Sequence, residues 1–158
     1  ARQATLDILP FVNILSAGIL DAENILKMNC EYECKYEKLN YYYNKINSDY
    51  PNIKHMFSSI RTLQSVSVNT LQCNYYTDYK LYTSKEYVID DIVDRVGGGD
   101  ALTAGILYSI LNNKEADYVA EFATASSVLK HSIYGDANLV NVEDVESLMK
   151  NGVGKIDR

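Results

Sequence analysis

Asp94-Arg95-Val96-Gly97-Gly98-Gly99-Asp100-Ala101 is the stretch on which the fold turns. A β-prone run, Tyr87 to Val93, leads into it, and a helical pattern to about Leu111 leads away. Three consecutive glycines let the backbone turn with successive N–H groups facing one point. The helix behind adds its unpaired N-terminal N–H groups and the positive end of its dipole. Such a place suits a phosphate or a developing phosphoryl charge, and side chains in the turn would hold substrate oxygens away. The aspartate that closes the loop could accept a proton from an attacking hydroxyl, the task of a general base in phosphoryl transfer. Taken alone, the same residues read as an N-cap whose aspartate accepts backbone N–H bonds and does no chemistry. A P-loop is excluded, because Ala101 and Leu102 stand where Lys and Ser/Thr are needed. A dinucleotide fingerprint is excluded, because its third glycine position is Leu102.

Upstream, Thr5 to Pro10 reads as the end of a helix closed by its proline, and Val12 to Leu15 as a buried strand. Asp21-Ala22-Glu23 opens a short helix through Lys27. Tyr36, Leu39, Tyr43 and Ile46 recur at helical spacing, so a helix is expected within Asn29 to Pro51. Ile53 to Ile60 is a strand. Val66, Val68, Leu71 to Tyr76, Lys80 to Thr83 and Tyr87 to Val93 predict two or three antiparallel strands. Downstream, Ala116 to Lys130 and Val142 to Met149 are amphipathic helices, and Gly152-x-Gly154 reads as a flexible tail. Helices alternating with strands, with an antiparallel run at one side, give an α/β fold with a mixed sheet between helical layers.

The 158 residues are 47% hydrophobic, enough for a packed core in one ordinary domain. Lys+Arg 15 against Asp+Glu 21 leaves a net charge of -6, which argues against an electrostatic nucleic-acid binder. The 14 tyrosines do not change this, since base-stacking platforms lie in basic grooves. The longest apolar stretch, Ile8 to Leu20, is interrupted and too short to cross a bilayer, so no membrane partner is expected. No signal peptide is visible, and the absence of an initiator Met suggests a start further upstream. Cys30, Cys34 and Cys73 form no framework and read as free thiols in a reducing, cytoplasmic compartment. C-x-x-x-C with no nearby histidine is a poor zinc site.

Ile92 to Asp100, with Ala101 and Ala104-Gly105, closely resembles the D-x-x-G-(A/G)-G-D signature of the ribokinase or pfkB family of carbohydrate kinases. The spelling V-D-R-V-G-G-G-D is most like its 2-keto-3-deoxygluconate kinase branch. The likeness extends through Glu121 to His131, Ile133 to Asp136, Asn138 and Val142 to Glu146, and more weakly over residues 1–65. The resemblance implies a ribokinase-like three-layer α/β/α fold, C-terminal half only. Residues 1–158 would be the nucleotide-binding portion of the kinase domain, with the N-terminal half and lid absent. It implies ATP-dependent phosphorylation of a sugar or sugar-acid hydroxyl, with Mg²⁺. Fructose or a nucleoside is a weaker acceptor reading.

By the same resemblance Asp100 is the catalytic base, Gly97, Gly98 and Gly99 form the anion hole, and Asp94 orders the loop or a metal shell. Arg61 would approach the nucleotide phosphates, Thr124 and Ser126 would border the adenine pocket, and Asp136 would approach the sugar acid or the rim of the site. The family's N-x-x-E reads Gly18 and Asp21 here, so Asp21 would serve Mg²⁺ through water without the usual amide. That departure and the short chain keep open a non-catalytic nucleotide-binding remnant or interaction module. A sheet with an open edge also suggests a homo-oligomer.

Overall fold

Pro10 does end the first helix, and from there the described chain runs through one strand, two helices, four strands and three helices. The computed structural model describes residues 2–63, 68–90 and 92–152. Helix α1 is Arg2–Ile8, followed by a 3-10 turn at Leu9–Phe11, strand β1 at Ile14–Ser16, α2 at Ile19–Asn24 and α3 at Lys35–Asp49. Strands β2 (His55–Leu63), β3 (Asn69–Thr77), β4 (Lys80–Thr83) and β5 (Tyr87–Ile89) come next. Helices α4 (Gly98–Leu111), α5 (Ala116–Lys130) and α6 (Val142–Asn151) complete the described chain. The sheet order is β1-β2-β3-β4, and β5 pairs with β3. The expected β run at Val66 and the Gly154 end of the tail lie outside the described residues.

The chain divides into two units, residues 1–58 with 75–81 and residues 59–74 with 82–158. In the first, β1 lies parallel to β2 in the register Ile14↔His55, Leu15↔Met56, Ser16↔Phe57. A parallel pair needs a crossover, and α2 and α3 supply it. Leu39, Tyr42, Tyr43 and Ile46 line the buried face of α3 and pack with Leu9, Ala22, Ile53, Met56 and Tyr76. The tyrosines enter this core because their hydroxyls find partners. Tyr43 Oη donates to the Ala17 carbonyl at 2.7 Å, Tyr42 Oη to Glu23 at 3.0 Å and Tyr76 Oη to Asn44 at 2.7 Å. Helix α2 starts two residues earlier than the sequence reading and ends three earlier. Asp21 acts from its third position, and Lys27 has φ 59°, in the left-handed region that a continuing helix forbids. Between β3 and β4, Asp78 and Tyr79 have φ 50° and 61°, as a two-residue type I′ hairpin turn requires.

In the second unit β5 runs antiparallel to β3, with Asn69↔Ile89, Thr70↔Val88 and Leu71↔Tyr87. Helices α4 and α5 touch backbone to backbone at Gly105, where a Cβ would come within 2.7 Å of the Ala123 Cα. Helix α6 begins on a reciprocal cap: Asp144 N–H donates to Asn141 Oδ1 at 2.8 Å and Asn141 N–H to Asp144 Oδ2 at 3.1 Å. Its Val145 and Leu148 join Leu71, Tyr87, Ile89, Phe122, Ala125 and Leu129 in the core. Cys73 is enclosed, and burial pushes its thiol up to about 12, so it is an inert core residue. All three cysteines are free.

Candidate active site

The glycine run becomes the start of α4, with Gly97 as N-cap and Gly98, Gly99 and Asp100 as the first three helical residues. Asp94 orders the approach. Its Oδ1 accepts the Val96 N–H at 3.0 Å and its Oδ2 the Gly135 N–H at 2.9 Å. Those two bonds, Val96 first, hold its carboxyl below the usual carboxylate range, and the charge of Lys130 adds to them. Gly97 is left-handed at φ 78°, ψ −3°, and a Cβ there would overlap the Asp136 carbonyl. The first helical bond is Ala101 N–H to the Gly97 carbonyl at 2.8 Å. The N–H groups of Gly99 and Asp100 precede it and have no acceptor within the helix.

The three glycines differ in what a side chain would meet. At Gly98 a Cβ would sit 2.9 Å from His131 Cε1. At Gly99 it would meet nothing within 4 Å. Two of the glycines therefore answer to the protein's own packing, and Gly99 alone faces open space. Gly99 and Asp100 are both exposed. Among the described residues nothing hydrogen-bonds the Asp100 carboxylate, so it is available as an acceptor.

Beneath the loop lies a group that sequence reasoning missed. His131, at the C-terminal end of α5, is fully buried, with Nδ1 2.7 Å from the Ser127 carbonyl and Nε2 3.1 Å from Arg61 Nη2. A guanidinium only donates, so Nε2 is the acceptor and Nδ1 carries the proton, as assigned from these partners. Burial holds this imidazole below its ordinary value. The Ser127 carbonyl opposes that, and Arg61, Lys130 and Arg95 reinforce it. Burial, and then the nearby Arg95, also lower Arg61. Asn69 accepts from Arg95 Nη2 at 3.2 Å when its amide is assigned so that both of its ends find partners. Ser127 Oγ donates to the Gly98 carbonyl at 2.8 Å. The only advance signals for His131 and Ser127 were their place at the end of the α5 pattern and within the quoted likeness.

The remaining expected residues fall in different surroundings. Asp136 abuts Gly97 through its backbone and exposes its side chain. Thr124 is enclosed, its Oγ1 accepting the Cys73 N–H at 3.1 Å and lying 2.8 Å from the Ala120 carbonyl and 2.9 Å from Ser84 Oγ. Ser126 is nearly buried and accepts from Asn138 Nδ2 at 3.2 Å. Asp21 belongs to the first unit, where its Oδ2 accepts the Gly18 N–H at 2.8 Å. Among the described residues no three His, Cys, Asp or Glu side chains gather as a metal cage. Mg²⁺ needs none, because it keeps waters and takes one or two carboxylates together with phosphate oxygens. The open face at Gly99 and the helix N–H groups ahead of the first helical bond suit an anion.

A ribokinase-like α/β fold with a glycine-aspartate turn at a helix start defines the class, and solved structures agree with the fold. A PfkB family carbohydrate kinase of Listeria grayi superposes with a TM-score of 0.87 and 37% identity, over 95% of this chain and 45% of that one. The 2-dehydro-3-deoxygluconokinase of Thermotoga maritima does so at 0.87 and 29%, over 94% and 45%. The chain thus spans about half the length of these solved relatives and resembles the 2-keto-3-deoxygluconate kinase branch of the ribokinase/pfkB family. A curated 2-dehydro-3-deoxygalactonokinase of Haloferax volcanii is 29% identical over 68 residues, 43% of this chain and 21% of that protein. A ribokinase-type protein of Escherichia coli in complex with ATP and Mg²⁺ aligns at 0.65 and 13% identity, a likeness of fold alone. No family profile matches the chain. Among the described residues no helix is long and apolar enough to cross a membrane.

Proposed function

We propose that residues 1–158 form the nucleotide-binding, base-bearing portion of an ATP-dependent carbohydrate kinase. Its acceptor would be a sugar or sugar acid, 2-keto-3-deoxygluconate first among them, in keeping with the names of its relatives. The observation that carries this reading is the pairing of Gly99, whose missing side chain faces open space, with the exposed carboxylate of Asp100 beside it. Bound Mg·ATP supplies the phosphoryl group and the cation that neutralises it. The N–H groups of Gly99 and Asp100, the positive end of α4 and the Arg61 guanidinium hold the negative charge. Asp100 would accept the proton of the acceptor hydroxyl as that oxygen bonds to the γ-phosphorus in line, while the bond to the bridging oxygen breaks and ADP leaves. The other half of the domain would supply the lid and most of the sugar contacts.

Calorimetric titration of the folded 158-residue chain with Mg·ATP tests this, using Gly99→Val as the control. Saturable binding weakened at least about tenfold by Gly99→Val, with an unchanged melting midpoint, is expected from the loss of close backbone approach. Gly98→Val is a poorer probe, since it strikes His131 first. A second reading, a non-catalytic remnant of the same fold, is favoured by one feature. Gly18 stands where the family has an amide, and Asp21 is engaged in capping its own helix. A folded chain that does not bind Mg·ATP would put that reading ahead.

A further inference from the structure

We infer that His131 is a positioning residue whose neutral imidazole fixes the Arg61 guanidinium at the glycine loop without cancelling its charge. The proposal rests on the reading that this loop takes nucleotide phosphates. Three elements of one unit meet here: Arg61 from β2, His131 from the end of α5 and Gly98 from the first turn of α4. The ring is held on every side. Nδ1 is tied to the Ser127 carbonyl at 2.7 Å, Nε2 faces Arg61 at 3.1 Å, and Cε1 fills the space that a side chain at Gly98 would need. Its own carbonyl accepts the Val93 and Asp94 N–H groups at 2.9 and 3.2 Å, so the same residue also anchors the start of the loop.

The chemistry of the acceptor matters. A carboxylate at this place would also hold Arg61, but the ion pair would neutralise the cation that faces the loop. An apolar side chain would fill the space and leave the guanidinium free to swing away from Arg95, its like-charged neighbour. Neutral imidazole avoids both outcomes. Burial first, and then the cationic Arg61, Lys130 and Arg95, keep a second proton off the ring. Arg61 therefore loses its rotamer freedom before an anion arrives, and less is lost on binding.

The test uses the whole chain with Mg·ATP as the probe, in His131→Gln, His131→Asn, Arg61→Ala and the Arg61→Ala/His131→Asn double variant. Gln retains an acceptor within reach of Arg61, whereas Asn is too short. Arg61→Ala and His131→Asn should each weaken ATP about tenfold, the scale of a lost hydrogen bond to a charged group. The double variant should lose no more than either single one. His131→Gln should stay within about threefold of the parent, because its acceptor remains. An unchanged ATP affinity in His131→Asn with a lowered melting midpoint, or losses that multiply in the double variant, would make the histidine merely structural. Should His131→Asn fail to fold, Arg61→Ala with undiminished affinity overturns the proposal by itself. Nitrogen-15 spectra of the ligand-free chain separate this idea from the kinase reading. A proton on Nδ1 and a bare Nε2 that responds to Arg61→Ala are expected. A proton on Nε2 defeats the positioning role while wild-type ATP binding leaves the kinase reading standing. A folded wild type that ignores ATP removes both.

Discussion

Helices α2 and α4 begin on the same pattern, glycine at the N-cap and aspartate three residues on, yet the two aspartates do opposite things. At Gly18 the backbone is extended, φ −101° and ψ −171°, and its N–H donates to Asp21 Oδ2 at 2.8 Å. At Gly97 it is left-handed, φ 78° and ψ −3°, and among the described residues nothing donates to Asp100. Asp94 does the local tying instead, taking the N–H groups of Val96 and Gly135. One G-x-x-D closes on itself and finishes a helix. The other is held open by a neighbour, and its exposed carboxylate has no donor among the described residues. The shared glycine and aspartate do not separate the two cases; the sign of one φ angle does.

The strongest way to break this comparison is to remove each carboxylate in the complete form of the kinase proposed above. Asp100→Asn should cut turnover by about 10² to 10⁴-fold, the range for a lost general base, and leave Mg·ATP affinity within a few-fold. Asp21→Asn should spare the proton transfer. Near-normal kcat in Asp100→Asn would make the two helix starts equivalent after all. Gly97→Ala comes next. It meets both left-handed strain and the Asp136 carbonyl, and should cost about 2 kcal/mol or more in a denaturant melt. A neutral Gly97→Ala would mean that the loop does not depend on the inverted backbone. Asp21→Ala should cost about 1 kcal/mol, a lost helix cap, seen as a shifted denaturation midpoint and a frayed α2. The smallest effect is a titration. Asp94 is held below the ordinary carboxylate range, so its support of the loop is complete above that range and fades as acid carries the pH down through its lowered value. Carboxyl carbon spectra would reveal this, and an ordinary midpoint for Asp94 would remove it as the residue that holds the loop open.

Much of this was legible beforehand because it is local. The α3 face of Leu39, Tyr43 and Ile46, the start of α6 at Val142 and the run from glycine into α4 are periodicities or short spacings. The start of α2 was not, because Gly18 read as a missing amide while its N–H was the donor that set the boundary. The floor of the site was hidden for a different reason. Arg61 and His131 are 70 residues apart, and Ser127 reaches Gly98 across 29, distances at which a single chain gives no pairing signal. Sequence read the three glycines together as an anion hole and could not show that their surroundings differ: a turn at Gly97, a packing gap at Gly98 and an open face at Gly99. Thr124 shows the converse: a hydroxyl on the expected helix spends itself on Cys73, Ser84 and Ala120.

The tyrosine-rich interior carries a consequence in the opposite direction of pH. Burial pushes the Tyr42, Tyr87 and Tyr118 phenols well above their ordinary range, and the carboxylates of Glu23, Glu121 and Glu146 beside them push the same way. Neutral phenol is thus favoured by the fold. Its contribution is whole below about pH 10 and is withdrawn as base carries the pH up through the raised values. The molecule should come apart in alkali before these rings ionise in place. With no tryptophan to overlie them, the ultraviolet phenolate band beyond the share of exposed tyrosines such as Tyr32, Tyr79 and Tyr134 becomes a gauge of how much of the interior has opened to water.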